Sequence, residues 1–331
     1  MESESIMSSE SSSSSETRPM VHHGQYLPLT QKYVLDLVLA TYVLYVGLLW
    51  IPLNDVMMTK SCYFELKYNA SICESLTNNS AFLNEVHRVT KYYGLASNIV
   101  ASLPAAMSTI IASNFMTRSG MKVPVICAIV CTVITCALQL YSFVHMSLPL
   151  VFNVIFQIPQ AIGGGQLVVM TAVQTRIALT TSAEDRKYRY FLLRYLLLLS
   201  NLIAVAIGTP LYKHHGPFSL AVLLIGSLLF SLILIVFVFR DLGVYSNESV
   251  CTALANSADF STLRKGLDCL EQARPGHARA QIYFMLISLT IANIPYAGNV
   301  DGERKNLHSW RIVAVLGCLM TDDNTLLHHR N

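Results

Sequence analysis

Residues 217–239 read PFSLAVLLIGSLLFSLILIVFVF, and this stretch decides the fold class of the chain. It carries no charged side chain, and it exceeds the roughly 20 apolar residues that a helix needs to cross a bilayer. A backbone amide without a partner costs several kcal/mol in hydrocarbon, so a spanning segment of this kind has to be an α-helix.

Other segments pass the same test of length and hydrophobicity. Together the predicted spans are roughly 33–53, 92–112, 123–144, 149–172, 189–212, 217–239 and 281–298. The composition agrees, because 53% of the 331 residues are hydrophobic and 13% are charged, whereas soluble domains carry about 25% charged residues. The sequence therefore predicts an all-α polytopic membrane protein and argues against a disordered chain, a nucleic-acid binder or an ordinary soluble enzyme.

The segments around the spans predict the domain organisation. We expect a Ser- and Glu-rich disordered tail, a six-helix unit with a long outer loop, a cytoplasmic linker, a seventh helix and a polar tail. Their bounds are 1–28, 29–239 with the loop at 54–91, 240–279, 280–298 and 299–331.

The distribution of Lys and Arg predicts that the N-terminus is cytoplasmic. Basic loops lie on the cytoplasmic side of a membrane, and the short loops after the second and fourth predicted spans are rich in Lys and Arg. The opposite, outer loop holds two N-glycosylation sequons, at Asn69 and Asn78. Both the plasma membrane and the lysosomal membrane fit this orientation.

The cysteines divide between the two sides of the membrane. Cys62 and Cys73 share the outer loop, on the oxidising side, and we predict a disulfide between them. The alternative is that one of them pairs with Cys318 or with an outer loop that this chain lacks. The remaining cysteines are expected to stay reduced: Cys127, Cys131, Cys136, Cys251 and Cys269.

Polar groups at membrane depth are costly, so they mark candidate sites. The candidates for a substrate pathway are Asp36, Asn98, Gln157, Gln160, Arg194 and Asn201. For the four amides the alternative is hydrogen bonding between helices. For Asp36 it is an i,i+4 ion pair with Lys32 at the inner interface, and for Arg194 it is an interaction with anionic lipid of the inner leaflet.

Three glycines, 163–165, interrupt the fourth predicted span one turn after Pro159. Small residues let helices pack closely, and three together also let a helix bend; the sequence leaves both readings open.

Neither a cofactor nor a metal is expected. The histidine pairs at 22–23, 214–215 and 328–329 have adjacent spacing, which points the two rings to different faces of a helix. The motifs H-E-x-x-H, G-x-S-x-G and the P-loop do not occur, so the sequence gives no support for an enzyme.

Several stretches, taken together, resemble the solute carrier 46 family of the major facilitator superfamily. They are the glycosylated loop at 69–73 with 85–88, the loop TRSGMK at 117–122, the glycines at 163–165 and the loop SAEDRKYR at 182–189. The loop at 117–122 is similar to the superfamily's D-R-x-G-R-[KR] loop, with Thr117 and Met121 in place of an acidic and a basic residue.

The resemblance implies a twelve-helix fold in which the substrate binds between two six-helix halves. It also implies gating loops at Arg118, Gly120, Lys122, Arg186 and Arg189. Since this chain supplies one half and a seventh span, we expect it to be C-terminally truncated.

The implied activity is transport of a small organic solute, with an anion as one candidate and a proton as one candidate coupling ion. Folate and the proton do not carry over directly, because the acid and the histidine that serve the family's folate transporter in the fifth and seventh spans are missing here. The alternative is a non-transporting half-transporter that associates with a second copy or with a full-length paralogue. Besides these partners we expect the lipid bilayer, and no nucleic acid.

Overall fold

The computed structural model of the protein describes residues 28–74, 80–182 and 184–241, together with 252, 254 and 257. Within this part of the chain the regular elements are helices, and no strand occurs. Six helical segments are long and apolar enough to cross a membrane. The protein is therefore an all-α polytopic membrane protein, as predicted. The predicted seventh helix and the two terminal tails lie outside the described residues.

The helices are numbered in chain order within the described residues. They are α1 Leu29–Lys60, α2 Ala70–Glu74, α3 Ser80–Ser119, α4 Lys122–Val144, α5 Leu150–Ile155, α6 Ile158–Ile162, α7 Gly165–Thr180 and α8 Arg186–Ile233. A π-helical turn follows α1 at Ser61–Glu65, and another follows α8 at Leu234–Val238. Inside α8, Gly216 has φ 74° and ψ −171°, which breaks the helix into two arms just before Pro217.

The six spans, numbered 1 to 6, follow from these helices. They are Thr30–Glu65, Ala81–Met116, Lys122–Val144, Leu150–Thr180, Arg186–Gly216 and Ser219–Val238. Each overlaps one of the first six predicted spans. Gln31 near the start of span 1 bonds Val238 at the end of span 6, and the connectivity places the starts of spans 3 and 5 at this same end. We call it the N-terminal end, and the opposite one, which holds Cys62 and Cys73, the disulfide end.

The prediction of a loop over 54–91 is wrong in extent, because most of this segment is helical. Span 1 continues to Glu65 and span 2 begins at Ala81. At 1.5 Å per residue each of these 36-residue spans is about 54 Å long, well beyond the roughly 30 Å of hydrocarbon. Hydropathy marks only the apolar middle of such a helix. Lys60 and Lys91, assigned to the loop, therefore lie in helices.

Spans 1 and 5 pack at close range. A Cβ at Gly47 of span 1 would lie 2.7 Å from the Cβ of Ala204 in span 5, and a Cβ at Gly208 would lie 2.8 Å from the side chains of Leu48 and Ile51. Ala204 and Gly208 are four residues apart and share a face of span 5. Small residues at this spacing let two membrane helices approach until their backbones nearly touch.

Span 1 lies at the centre of the bundle, and span 2 lies at its edge. The side chains of Val38, Leu39 and Tyr42 in span 1 are fully buried, and span 1 contacts spans 4, 5 and 6. In span 2, by contrast, a stripe of large apolar side chains is exposed, formed by Ile99, Leu103 and Met107. In a membrane such a stripe contacts lipid tails or another protein.

Cys62 and Cys73 form a disulfide, with Cα atoms 5.9 Å apart, which joins the turn after α1 to the short helix α2. This is the first of the alternatives that the sequence left open. The three cysteines of span 3 are free thiols: Cys127, Cys131 and Cys136. Asn69 is exposed beside the disulfide. Cys251, Cys269, Cys318 and the second sequon at Asn78 lie outside the described residues.

Candidate functional site

Span 4 is discontinuous at the three glycines. Gly164 and Gly165 have φ angles of 73° and 46°, in the left-handed region that favours glycine, and they separate α6 from α7. A Cβ at Gly163 would lie 2.6 Å from the Cβ of Cys131 in span 3. Both readings of the glycines therefore apply, because Gly163 permits close packing and the next two residues permit the break.

Hydrogen bonds hold the broken segment against spans 1 and 3. Nε2 of Gln160 donates to the hydroxyl of Tyr42 at 3.2 Å, and that hydroxyl pairs with the hydroxyl of Thr132 at 2.8 Å. The backbone N–H of Gln160 donates to Thr135 Oγ1 at 3.0 Å. Gln160 thus makes the bonds between helices that the sequence offered as the alternative for the amides.

A cavity of about 370 Å³ lies between spans 1 and 2, beside this break. Its polar lining is formed by Tyr45, Asn54, Thr90, Lys91, Ser97, Asn98, Gln157 and Gln160. Its apolar lining includes Val46, Leu49, Trp50, Leu53, Met57 and Leu95. Within the described residues the lining carries one ammonium group, from Lys91, and no carboxylate. Three of the predicted pathway residues therefore meet in one cavity, namely Asn98, Gln157 and Gln160.

Sequence reasoning missed Lys91, Trp50 and Tyr45 as lining residues. Lys91 was assigned to a loop, although it lies seven residues before Asn98 and therefore on the same face of a helix. Extending span 2 backwards along this period would have placed both residues on one side. Trp50 and Tyr45 look like ordinary apolar residues of span 1, and nothing in their sequence spacing marks them as residues of a cavity.

Asn201 and Arg194 lie on span 5, outside the cavity lining. Both side chains are exposed, and their spacing of seven residues puts them on one face of the helix. Oδ1 of Asn201 would lie 3.3 Å from a Cβ at Gly47, next to the cavity residue Val46. Arg194 lies about two turns nearer the N-terminal end. The two polar side chains stand among exposed apolar residues of span 5, such as Leu198 and Leu202.

Asp36 lies near the N-terminal end. The ion pair with Lys32 that the spacing suggested does not form. The carboxylate of Asp36 forms a salt bridge of 2.9 Å with Nη2 of Arg189 in span 5, and the two side chains of Arg189 and Asp36 are 6% and 9% exposed. Asp36 is buried and lies outside the lining of the cavity. Arg189 is favoured because its guanidinium also donates to the Lys32 carbonyl at 2.9 Å and stacks 4.1 Å from the centre of the Tyr33 ring.

The loop between spans 2 and 3 docks on the end of span 6. Gly120 has φ 107°, and a Cβ there would lie 2.8 Å from the carboxylate of Asp241. That carboxylate accepts a 3.0 Å bond from the backbone N–H of Met121, and Nζ of Lys122 donates to the Val236 carbonyl at 2.8 Å. The side chain of Arg118 lies outside the described set.

Arg176 was counted with the inner loops, but it lies inside span 4 and is 2% exposed. Its guanidinium donates to the carbonyls of Gln31 and Arg240 and lies 4.6 Å from the centre of the Phe239 ring. Span 4 therefore reaches further than the predicted 149–172, and Arg176 ties it to the ends of spans 1 and 6.

No protein-family model matches the chain, and no match is found among the curated proteins. The resemblance to the solute carrier 46 family therefore stays a prediction that rests on the sequence stretches. Six membrane-spanning helices and a cavity between them are compatible with a membrane transporter.

Proposed function

We propose that this chain is a solute carrier 46-like protein of the major facilitator superfamily, and that its cavity binds a small organic anion for transport. The observation that carries the proposal is the cavity of about 370 Å³ beside the break in span 4, with polar groups set in a largely apolar lining. Transporters often build their substrate sites where membrane helices are interrupted. A cavity of this volume also falls in the range of small-molecule sites, roughly 300–1,000 Å³.

The chemistry of the lining supports an anion. Lys91 supplies a positive charge, and the amides of Asn98 and Gln157 supply hydrogen-bond donors. Trp50 and Tyr45 add aromatic surface for the apolar part of a solute.

The test is uptake by the purified chain in proteoliposomes. A defined mixture of monocarboxylates, dicarboxylates and phosphate esters is supplied outside, and the vesicle contents are analysed by mass spectrometry. We expect at least one solute to accumulate, and Asn98→Ala to reduce its uptake about tenfold, which corresponds to about 1.4 kcal/mol of lost binding. Asn84→Ala is the matched control, because Asn84 is exposed on the same helix and lies outside the cavity lining. Equal uptake by both variants, or none by the unmodified chain, contradicts the proposal.

One observation favours the alternative, a half-transporter that acts by association. Arg194 and Asn201 present a polar face on the exposed side of span 5, and a polar face is poorly solvated by lipid tails. Contact with a second copy or a full-length paralogue would cover it. Two differently tagged copies that copurify from mixed membranes, with no solute taken up by the same preparation, would favour this function over transport.

A further inference from the structure

A buried cluster of hydrogen-bond donors lies at the turn between spans 4 and 5, at the N-terminal end. Its members are Thr181, Arg186 and Arg189. Thr181 and Arg189 are 4% and 6% exposed, whereas Arg186 is half-buried. The cluster is separate from the cavity, whose lining contains none of these residues.

The two arginines use only part of their bonding capacity. Nη2 of Arg189 serves Asp36 and the Lys32 carbonyl, and Nη2 of Arg186 donates to the Ala178 carbonyl at 3.0 Å. The Nε atoms of both arginines, Nη1 of Arg189 and the hydroxyl of Thr181 are buried without a hydrogen-bond partner among the described residues. Buried donors are almost always satisfied in proteins, so this concentration at one turn calls for an acceptor.

The charge of the cluster points to the nature of that acceptor. Asp36 is paired with Arg189, whereas Arg186 forms no salt bridge with a described residue. The two carboxylates of the turn, Glu184 and Asp185, are exposed, and Asp185 accepts a bond from the Ser182 hydroxyl. The interior of the turn therefore has more positive than negative charge, and a neutral acceptor would leave that excess in place.

We propose that this turn binds a phosphate group, presented by the headgroup of an anionic lipid. Phosphate offers several acceptor oxygens, and guanidinium groups bind them with paired hydrogen bonds. Span 5 begins at Arg186, which places the turn at the level where headgroups lie. Basic pockets between membrane helices are a known way of holding such headgroups.

The experiment measures the melting temperature of the full chain in neutral detergent with one added probe at a time. The probes are phosphatidic acid, phosphatidylcholine, oleate and inorganic phosphate. Phosphatidic acid is expected to raise the melting temperature by several degrees. Phosphatidylcholine, whose headgroup has no net charge, and oleate, which has no phosphate, should leave the melting temperature unchanged. An equal rise with inorganic phosphate alone supports a phosphate site that is filled from solution rather than by a lipid.

Variants test whether the rise in melting temperature depends on this turn or on a general attraction of anionic lipids to basic residues. Arg186→Gln is expected to remove most of the rise, and Thr181→Val, which keeps the side-chain volume, to reduce it. Lys187→Gln is the matched control, because it removes the same charge from the neighbouring exposed position and should keep the full rise. The proposal is overturned if neither phosphate probe stabilises the unmodified chain, or if Lys187→Gln loses as much of the rise as Arg186→Gln. Thr181→Val keeps the test decisive if Arg186→Gln does not fold.

Discussion

The ion pair between Asp36 and Arg189 makes each residue dependent on the other. Both side chains are almost completely buried, so each charge has given up most of its solvation. The pair is held by more than its own attraction, because Arg189 also bonds the Lys32 carbonyl and stacks on Tyr33. Removal of either charge leaves the other buried without its salt-bridge partner.

Asp36→Asn is therefore expected to lower the free energy of unfolding by about 3 kcal/mol, the cost of stranding a buried charge. Thermal melting in detergent measures the change. Asp55→Asn is the control, because Asp55 is exposed and accepts a single 2.6 Å bond from the Tyr212 hydroxyl; its loss should be about 1 kcal/mol.

A double-mutant cycle tests whether the contact is direct. Asp36→Asn combined with Arg189→Gln should cost clearly less than the sum of the two single changes. Strict additivity would show that the two residues act independently.

The sequence identified Asp36 as a residue of interest but assigned it the wrong partner. Spacing rules report neighbours along one helix, and Lys32 satisfies the i,i+4 rule. The actual partner is on another span, and no local pattern encodes that contact. Gln160 and Asn98 were recognised because an amide in an apolar run is visible from composition alone.

At the scale of the elements, hydropathy predicted six spans within the described residues and left their pairing open. The break in span 4 was also visible, because three consecutive glycines are rare inside a helix. The close packing of spans 1 and 5 was not visible, since it depends on Gly47 meeting Ala204 across two helices that are far apart in sequence. Side-chain size at one crossing point decides that pairing, and hydropathy does not measure it.

Gly47→Ala is expected to destabilise the protein by about 1–3 kcal/mol, because the new methyl group overpacks the crossing of spans 1 and 5. Gly226→Ala is the matched control: a Cβ at Gly226 meets nothing within 4 Å, and alanine favours a helix over glycine by about 1 kcal/mol. Melting temperatures of the two variants should move in opposite directions. A neutral Gly47→Ala would mean that the two spans are less closely packed than described.

At the scale of the whole molecule, the end of the bundle that carries glycans determines which way the chain is oriented across the membrane. Asn69 is exposed beside the disulfide, so glycosylation there fixes the disulfide end on the outer side. We expect Asn69→Gln to remove one glycan, seen as a gain in gel mobility that matches enzymatic deglycosylation. Asn247 stands in a third sequon, Asn-Glu-Ser at 247–249, within the segment predicted to be the cytoplasmic linker, so Asn247→Gln should leave the mobility unchanged. The reverse pattern would place the N-terminus outside.

The cavity shows why the whole molecule is harder to predict than its parts. Its walls combine residues from spans 1, 2 and 4, and their meeting depends on how three helices are tilted and broken. The sequence located several of the polar groups but not the space between them. Lys91 was missed as a lining residue for a different reason: the apolar stretch predicted as span 2 begins at residue 92, whereas the helix begins before Lys91.

The distance along the chain between Asp36 and Arg189 has a consequence for biosynthesis. The first span is made roughly 150 residues before its counter-charge, which at 5–20 residues per second is a delay of about 8 to 30 seconds. During that interval Asp36 lacks its salt-bridge partner. We therefore expect the first span to reach its final packing only after the fifth has been translated. A chain that ends before Arg189 should leave the carboxylate of Asp36 without this ion pair.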